Sequence, residues 1–251
     1  MKTKFIFVFI LSIVIFSLIP SFLSAADIRM ASPNKGIDTS KLLVISGDIE
    51  KGDTETLTNL IFNLSEDQLP ISTLLLGPSN GGNLEEAMSI GFLARTLKWK
   101  VIVLNKCYSA CSMIALSSVY RVFAGEIGLH RPYYNPEFYE ETDPFYVEQW
   151  HRRMDKEVRD FLEDAYVSES IIEKMMGVSS REMWTISATD ADRVLSNFPS
   201  YFEELIFARC TGKAVTIPEF GMNADCLNRE LSQMQRQSLI TFLEAISQGE
   251  F

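Results

Sequence analysis

From Lys41 onward the chain alternates short apolar runs with segments of helical period, and this pattern restricts it to an α/β fold built on a mostly parallel sheet. Leu42 to Ile49 reads as a strand. Thr54 to Leu64 follows with Leu57, Leu60, Ile61 and Leu64 at helical spacing, and Ile71 to Leu76 is a short buried-strand pattern. After the turn Gly77 to Asn83, Leu84 to Leu97 is helical, with Met88, Phe92 and Leu93 expected to face a core. Lys100 to Leu104 is the next strand, Asn105 to Tyr108 a turn, and Ser109 to Ser117 a buried helix. Tyr120 to Phe123 and Ile127 to His130 are further strands.

Beyond Arg131-Pro132 the composition shifts to Tyr, Glu, Pro and Asp, then to a charged helical stretch from about Pro144 to Val167. This reads as an excursion from the core. Ser180 to Ser196 returns to a strand and a helix, Cys210 to Cys226 is loop-like, and Asn228 to Ser247 is a final amphipathic helix. The expected organisation is a leader over 1–25, an α/β domain over 27–200 and a C-terminal extension over 201–251. No internal repeat or low-complexity tract interrupts it. Asn63-Leu64-Ser65 is a glycosylation sequon that matters only in a glycosylating pathway.

Met1 to Ala25 begins with Lys2 and Lys4, runs apolar from Phe5 to Ile19, meets Pro20 and ends in Ser24, Ala25 and Ala26. That order is a secretory signal peptide, so the protein is expected to be exported, periplasmic or secreted. If uncleaved, the same apolar stretch approaches spanning length and becomes a membrane tether. The formal charge is −10, from 23 basic and 33 acidic side chains, and no long basic run offsets it. Binding along nucleic acid therefore lacks its electrostatic driving force.

Export makes disulfides the default state of Cys107, Cys111, Cys210 and Cys226, with three connectivities open. A four-cysteine zinc site wants paired C-x2-C spacings. The gaps here are C-x3-C and C-x15-C, so no metal is expected. In a regular helix, side chains four apart sit about 5 to 6 Å apart at Cβ, beyond disulfide reach, so a Cys107–Cys111 bond requires Cys107 to precede the helix. The favoured pairs are Cys107–Cys111 and Cys210–Cys226. The rival arrangement joins one of the first two cysteines to the C-terminal ones.

Two turns each follow an apolar strand and open a helix, where ligands sit in α/β sheets. Ser79-Asn80-Gly81-Gly82 offers paired glycines whose N–H groups can approach a ligand; alone it is equally an ordinary turn. In Cys107-Tyr108-Ser109-Ala110-Cys111-Ser112, Ser109 is either a helix cap or a nucleophile whose oxyanion would be met by the Ala110 N–H. A serine nucleophile needs a base, and the chain has two histidines. His130 ends a strand-like run, whereas His151 lies in a polar helical stretch and reads as solvated.

Taken in order, Gly47-Asp48-Ile49, Ser79-Asn80-Gly81-Gly82 followed by Glu86 to Ile90, Ser109 after a strand, Gly128-Leu129-His130-Arg131-Pro132 and Ile186 to Ala191 resemble the Clp protease proteolytic-subunit family. The similarity spans roughly Lys41 to Ser196 and is strongest toward exported Clp-protease-like proteins with a C-x-S-A-C turn. It implies a spiral of β-β-α units shared with crotonases, here with a helical excursion and a short C-terminal helical extension. It also implies a Ser109 nucleophile, a His130 base and an oxyanion hole from the N–H groups of Gly82 and Ala110. The family's aspartate position falls at about Met183, so adjacent Glu182 is the candidate third member; Asp190 and Asp192 are less suited.

The function these residues favour is an extracytoplasmic serine hydrolase, a peptidase needing no cofactor and no ATP-driven unfoldase, acting on a peptide or protein substrate. Tyr133 to Trp150 would be its homo-oligomer handle or partner surface, as the resemblance suggests. A different class is a catalytically silent binding or assembly module with the same fold. An acyl-CoA reaction would use the same N–H pair but leave Ser109 and His130 unexplained.

Overall fold

The computed structural model describes residues 25–34, 38–210, 216–217 and 222–248. The expected leader lies outside them apart from Ala25. In chain order the elements are β1 (Asp27–Met30), β2 (Leu42–Ser46), α1 (Asp53–Phe62), β3 (Thr73–Leu76), α2 (Leu84–Thr96), β4 (Lys100–Val103), β5 (Lys106–Tyr108), α3 (Ala110–Ser117), β6 (Tyr120–Phe123) and β7 (Glu126–Leu129). There follow α4 (Pro136–Glu141), α5 (Pro144–Asp164), α6 (Glu169–Gly177), β8 (Trp184–Ile186), α7 (Ala188–Leu195), α8 (Ser200–Cys210), β9 (Thr216–Ile217), β10 (Met222–Asn223) and α9 (Ala224–Ser247).

The chain is therefore α/β. Its main sheet has the order β1-β2-β3-β4-β6, with β2, β3, β4 and β6 parallel and β1 antiparallel at one edge. Strands β2, β4 and β6 alternate buried with half-buried residues, while three of the four residues of β3, at the centre of the sheet, are buried. A second sheet, β5-β7-β8, carries the site. It pairs Cys107 with Ile127 and Tyr108 with Gly128 in parallel, and Leu129 with Trp184 antiparallel.

Strand β5 occupies residues expected as a turn; three residues are too few to show a two-residue period. Helix α3 is buried at all eight positions and packs on α2, where Gly91 leaves room for a backbone carbonyl to accept from Ser117 Oγ at 2.8 Å. A Cβ at Gly91 would lie 2.8 Å from that same oxygen. Phe92, expected in the core, is 56% exposed.

The excursion begins with α4, which buries none of its residues, and continues into α5, which turns Met154, Val158 and Leu162 inward at i, i+4 and i+8. The expected break between 200 and 201 falls in the first turn of α8. Helices α8 and α9 share a cluster in which Phe202, Ile206 and Leu227 pack with Val119 of the body. Gln235 of α9 donates to the carbonyls of Ser72 and Lys98 at 2.9 and 3.0 Å, closing the extension onto the main sheet. Among the described residues, no helix is long and apolar enough to cross a membrane.

Candidate active site

Ser109 stands between β5 and α3 at φ 54°, ψ −124°. A positive φ is strained for a residue with a Cβ, so neighbouring contacts must hold it. The Ser109 N–H donates to Gly128 O at 2.9 Å, Tyr108 N–H to Ser79 O at 3.2 Å, and Ser112 N–H to Ser109 O at 2.9 Å. Fully buried Ser112 shares its single hydroxyl proton between Cys107 O at 3.0 Å and Gly128 O at 2.8 Å. Cys107 of β5 is disulfide-bonded to Cys111 of α3, Cα to Cα 5.2 Å, so the bond brackets Ser109. Cys210 is bonded to Cys226.

The second turn lies against this elbow. Gly81 and Gly82 have φ of 109° and 125°. A Cβ at Gly81 would be 2.7 Å from Ser109 Cβ, and one at Gly82 only 2.1 Å from Ile49 O, so both positions demand glycine. Ile49 N–H donates to Gly81 O and Asn83 N–H to Ile49 O, each at 2.7 Å. That pattern skips the Gly82 N–H, which has no acceptor among the described residues. The Ala110 N–H, first in α3, has none either. Asn80 is fixed beside them: its N–H and Nδ2 donate to Asp48 at 3.0 and 3.1 Å, and its Oδ1 accepts from Lys106 Nζ at 2.7 Å.

Gly82, Ser109, Ala110, His130 and Glu182 line one cavity of about 450 Å³. Buried His130 follows β7, and its Nδ1 lies 2.7 Å from Arg131 O. A carbonyl only accepts, so Nδ1 is the donor in this bond. Arg131 is in turn anchored by its N–H donating to Val178 O at 3.1 Å, and the imidazole lies 5.6 Å from the Tyr133 ring.

The structure thus brings Ser109, His130, Gly82, Ala110 and Glu182 to one cavity without joining all of them. Ser109 Oγ makes no hydrogen bond, to His130 or to any other described residue. Among the described residues the Glu182 carboxylate has neither a hydrogen bond nor an ion pair, and His130 Nδ1 bonds to the main chain instead. Met183 packs on β7, its sulfur 2.7 Å from a Cβ built on Gly128. Asp190 is engaged with Ser187 and Arg193, and Asp192 with Asn197. His151 lies on α5, its Nε2 2.7 Å from the Tyr139 hydroxyl. No group of three His, Cys, Asp or Glu among the described residues is placed to hold a metal ion.

Sequence reasoning did not find the Arg131 carbonyl, because a backbone atom leaves no signature in residue type. Ser112 had one: a polar residue inside an otherwise small and apolar helix.

No protein-family profile matches the chain, and no curated protein matches it. Among solved structures it is similar to a ClpP1 mutant from Listeria monocytogenes, at 17% identity and a TM-score of 0.47, over 63% of this chain and 89% of that one.

Proposed function

We propose that the chain is an exported serine hydrolase of the peptidase type, with the spiral fold of the Clp protease subunit. The observation that carries the reading is the elbow itself. A serine held at positive φ, with an unengaged hydroxyl, shares a cavity with an imidazole whose Nδ1 is tied to a backbone carbonyl and with two unspent N–H donors.

In this mechanism Ser109 Oγ attacks a peptide carbonyl carbon while His130 Nε2 takes its proton. The N–H groups of Gly82 and Ala110 receive the negative charge on the carbonyl oxygen, and the imidazolium returns the proton to the leaving amine. Water then repeats the sequence on the acyl-enzyme. The contact that Ser109 and His130 need forms on substrate binding, since catalytic hydrogen bonds are often open in free enzymes.

The Arg131 carbonyl fills the orienting role first assigned to Glu182. It fixes the productive tautomer, the feature whose loss costs a triad about 10⁴-fold in rate. It brings no full negative charge to the imidazolium, so Glu182 in the same cavity supplies only longer-range support. No cofactor or ATP-driven partner enters the scheme. Both disulfides and the leader pattern support export.

Fluorophosphonate labelling of the oxidised protein, mapped by mass spectrometry, tests this. Modification of Ser109 that disappears in His130→Ala is the expected result. A folded, oxidised protein that resists labelling refutes the hydrolase and favours the silent binding module, the reading that the open Ser109–His130 contact supports.

A further inference from the structure

Helix α2 carries Leu84, Met88 and Phe92, at i, i+4 and i+8, along a groove of about 1150 Å³ whose far wall includes Tyr133, Phe138 and Trp150; Leu84 and Met88 also pack against the core, and Phe92 stands clear of it. Phe92 is 56% exposed, Tyr133 50% and Trp150 40%, so large apolar side chains stand open to solvent on both walls. The groove exceeds the roughly 300 to 1000 Å³ of small-molecule pockets. It is also continuous with the reaction cavity, because Gly82, Leu84, Tyr133, Asn135 and Val158 line both.

Its charge is one-sided. Glu50, Glu85 and Glu157 line it, and none has an ion-pair partner among the described residues. The lone cationic wall residue, Arg153, stacks over Trp150 at 4.9 Å. The whole chain carries −10, which adds to the local field.

From these features we infer that the groove between α2 and α5 binds the part of the substrate leading away from Ser109, and that it selects peptides in which bulky apolar side chains alternate with Lys or Arg. The apolar side chains cover Phe92 and Trp150 while the cationic ones meet the three carboxylates. This rests on the hydrolase reading only for the direction of substrate, not for binding itself.

The experiment measures binding without turnover, using Ser109→Ala and, should that variant fold poorly at its positive φ, Ser109→Gly. A fluorescein-labelled twelve-residue peptide alternating Leu or Phe with Lys is titrated beside a peptide carrying Glu at the Lys positions. The Lys peptide is expected to bind at least tenfold more tightly at low salt, with the preference shrinking as ionic strength rises. Glu85→Gln with Glu157→Gln should cut that preference severalfold, and Trp150→Ala should weaken both peptides. Equal affinity for the two peptides, or indifference to these substitutions, overturns the inference. So does a Trp150→Ala protein that binds peptide normally but changes its mass by light scattering, since a second copy would then occupy the groove. Fluorophosphonate labelling of the wild type separates the two readings. Selective binding without labelling removes the hydrolase and leaves the groove, and labelling without selectivity does the reverse.

Discussion

Cys107–Cys111 and Cys210–Cys226 span almost the same distance between Cα atoms, 5.2 and 5.5 Å, yet one closes a separation of 4 residues and the other of 16. In chain-entropy terms the short bond contributes about 2 kcal/mol and the long one about 3. Their surroundings differ more than these figures do. The first joins the last strand before the elbow to the helix after it, with Ser109 midway, and both its cysteines are buried in the main core. The second joins α8 to α9 within the smaller cluster and lines neither the cavity nor the groove. One bond sets a geometry and the other secures an attachment, a division that loop length alone would rank in the opposite order.

The sharpest test of that division is at the atom the first bond holds. Ser109→Ala should abolish fluorophosphonate labelling, and His130→Ala should lower its rate at least about a thousandfold, in line with the loss of a triad member. Removing the two disulfides separately comes next. Cys107→Ala with Cys111→Ala should slow labelling of the folded protein about tenfold or more, because Ser109 is then free to leave its strained conformation. Cys210→Ala with Cys226→Ala should cost about 3 kcal/mol in urea unfolding and leave the labelling rate of folded molecules unchanged. Equal effects of both pairs on labelling would break the comparison.

Between the two regions lies Arg121 of β6. It is 1% exposed, its Nη2 reaches Ala165 O at 3.3 Å, and its Nε and Nη1 have no partner among the described residues. Burial, with the like charge of Arg95 adding, pushes its pKa down to about 10, while Tyr201 opposes the shift. A base with a lowered folded-state pKa costs stability while charged, and the cost is relieved only as pH rises through about 10 toward the unfolded value. At neutral pH the cost is fully present. Arg121→Met should therefore raise unfolding stability by about 1 to 3 kcal/mol, as replacement of poorly compensated buried charge does elsewhere. A loss of stability would show that the bond to Ala165 and the packing of the long side chain outweigh the charge.

How far these features could be read from sequence depended on whether side chains or backbone carried them. The α/β class followed from period, and Tyr120–Phe123 was found with its ends although burial there falls on Arg121 and Phe123 rather than on Tyr120 and Val122. That His130 shares a cavity with Ser109 could be anticipated because the chain has two histidines. Phe92 was misplaced because the helical period reports an apolar face without saying whether core or groove meets it. Helix α8 was missed although Phe202, Leu205 and Ile206, at i, i+3 and i+4, share the face that packs in the smaller cluster, because exposed Phe207 lies off that face and blurs the stripe. The hydrogen bond between His130 and the Arg131 carbonyl could not be read at all, since every residue has that carbonyl.

The smallest expected effect concerns the strap that presents Gly82. Glu86, in the first turn of α2, accepts from Gly52 N–H at 2.8 Å and Thr54 N–H at 2.9 Å, tying α2 to the start of α1. Burial alone would raise its carboxyl, but the bonds from Gly52 and Thr54, with nearby Lys51, outweigh that and hold it below the ordinary 4.5. An acid with a lowered folded-state pKa stabilises the fold above its unfolded value and loses that contribution as pH falls through the folded one. Wild-type stability should thus fall below pH 4.5 more steeply than that of Glu86→Gln, by under about 1 kcal/mol for a largely solvated group. Denaturation midpoints of the two proteins across that range give the difference. A slope shared by both would place the acid sensitivity in other carboxylates. Faster loss of labelling than of folding in wild type alone would mean that the α1–α2 tie also holds the Gly82 N–H in place, giving the elbow a second anchor besides its disulfide.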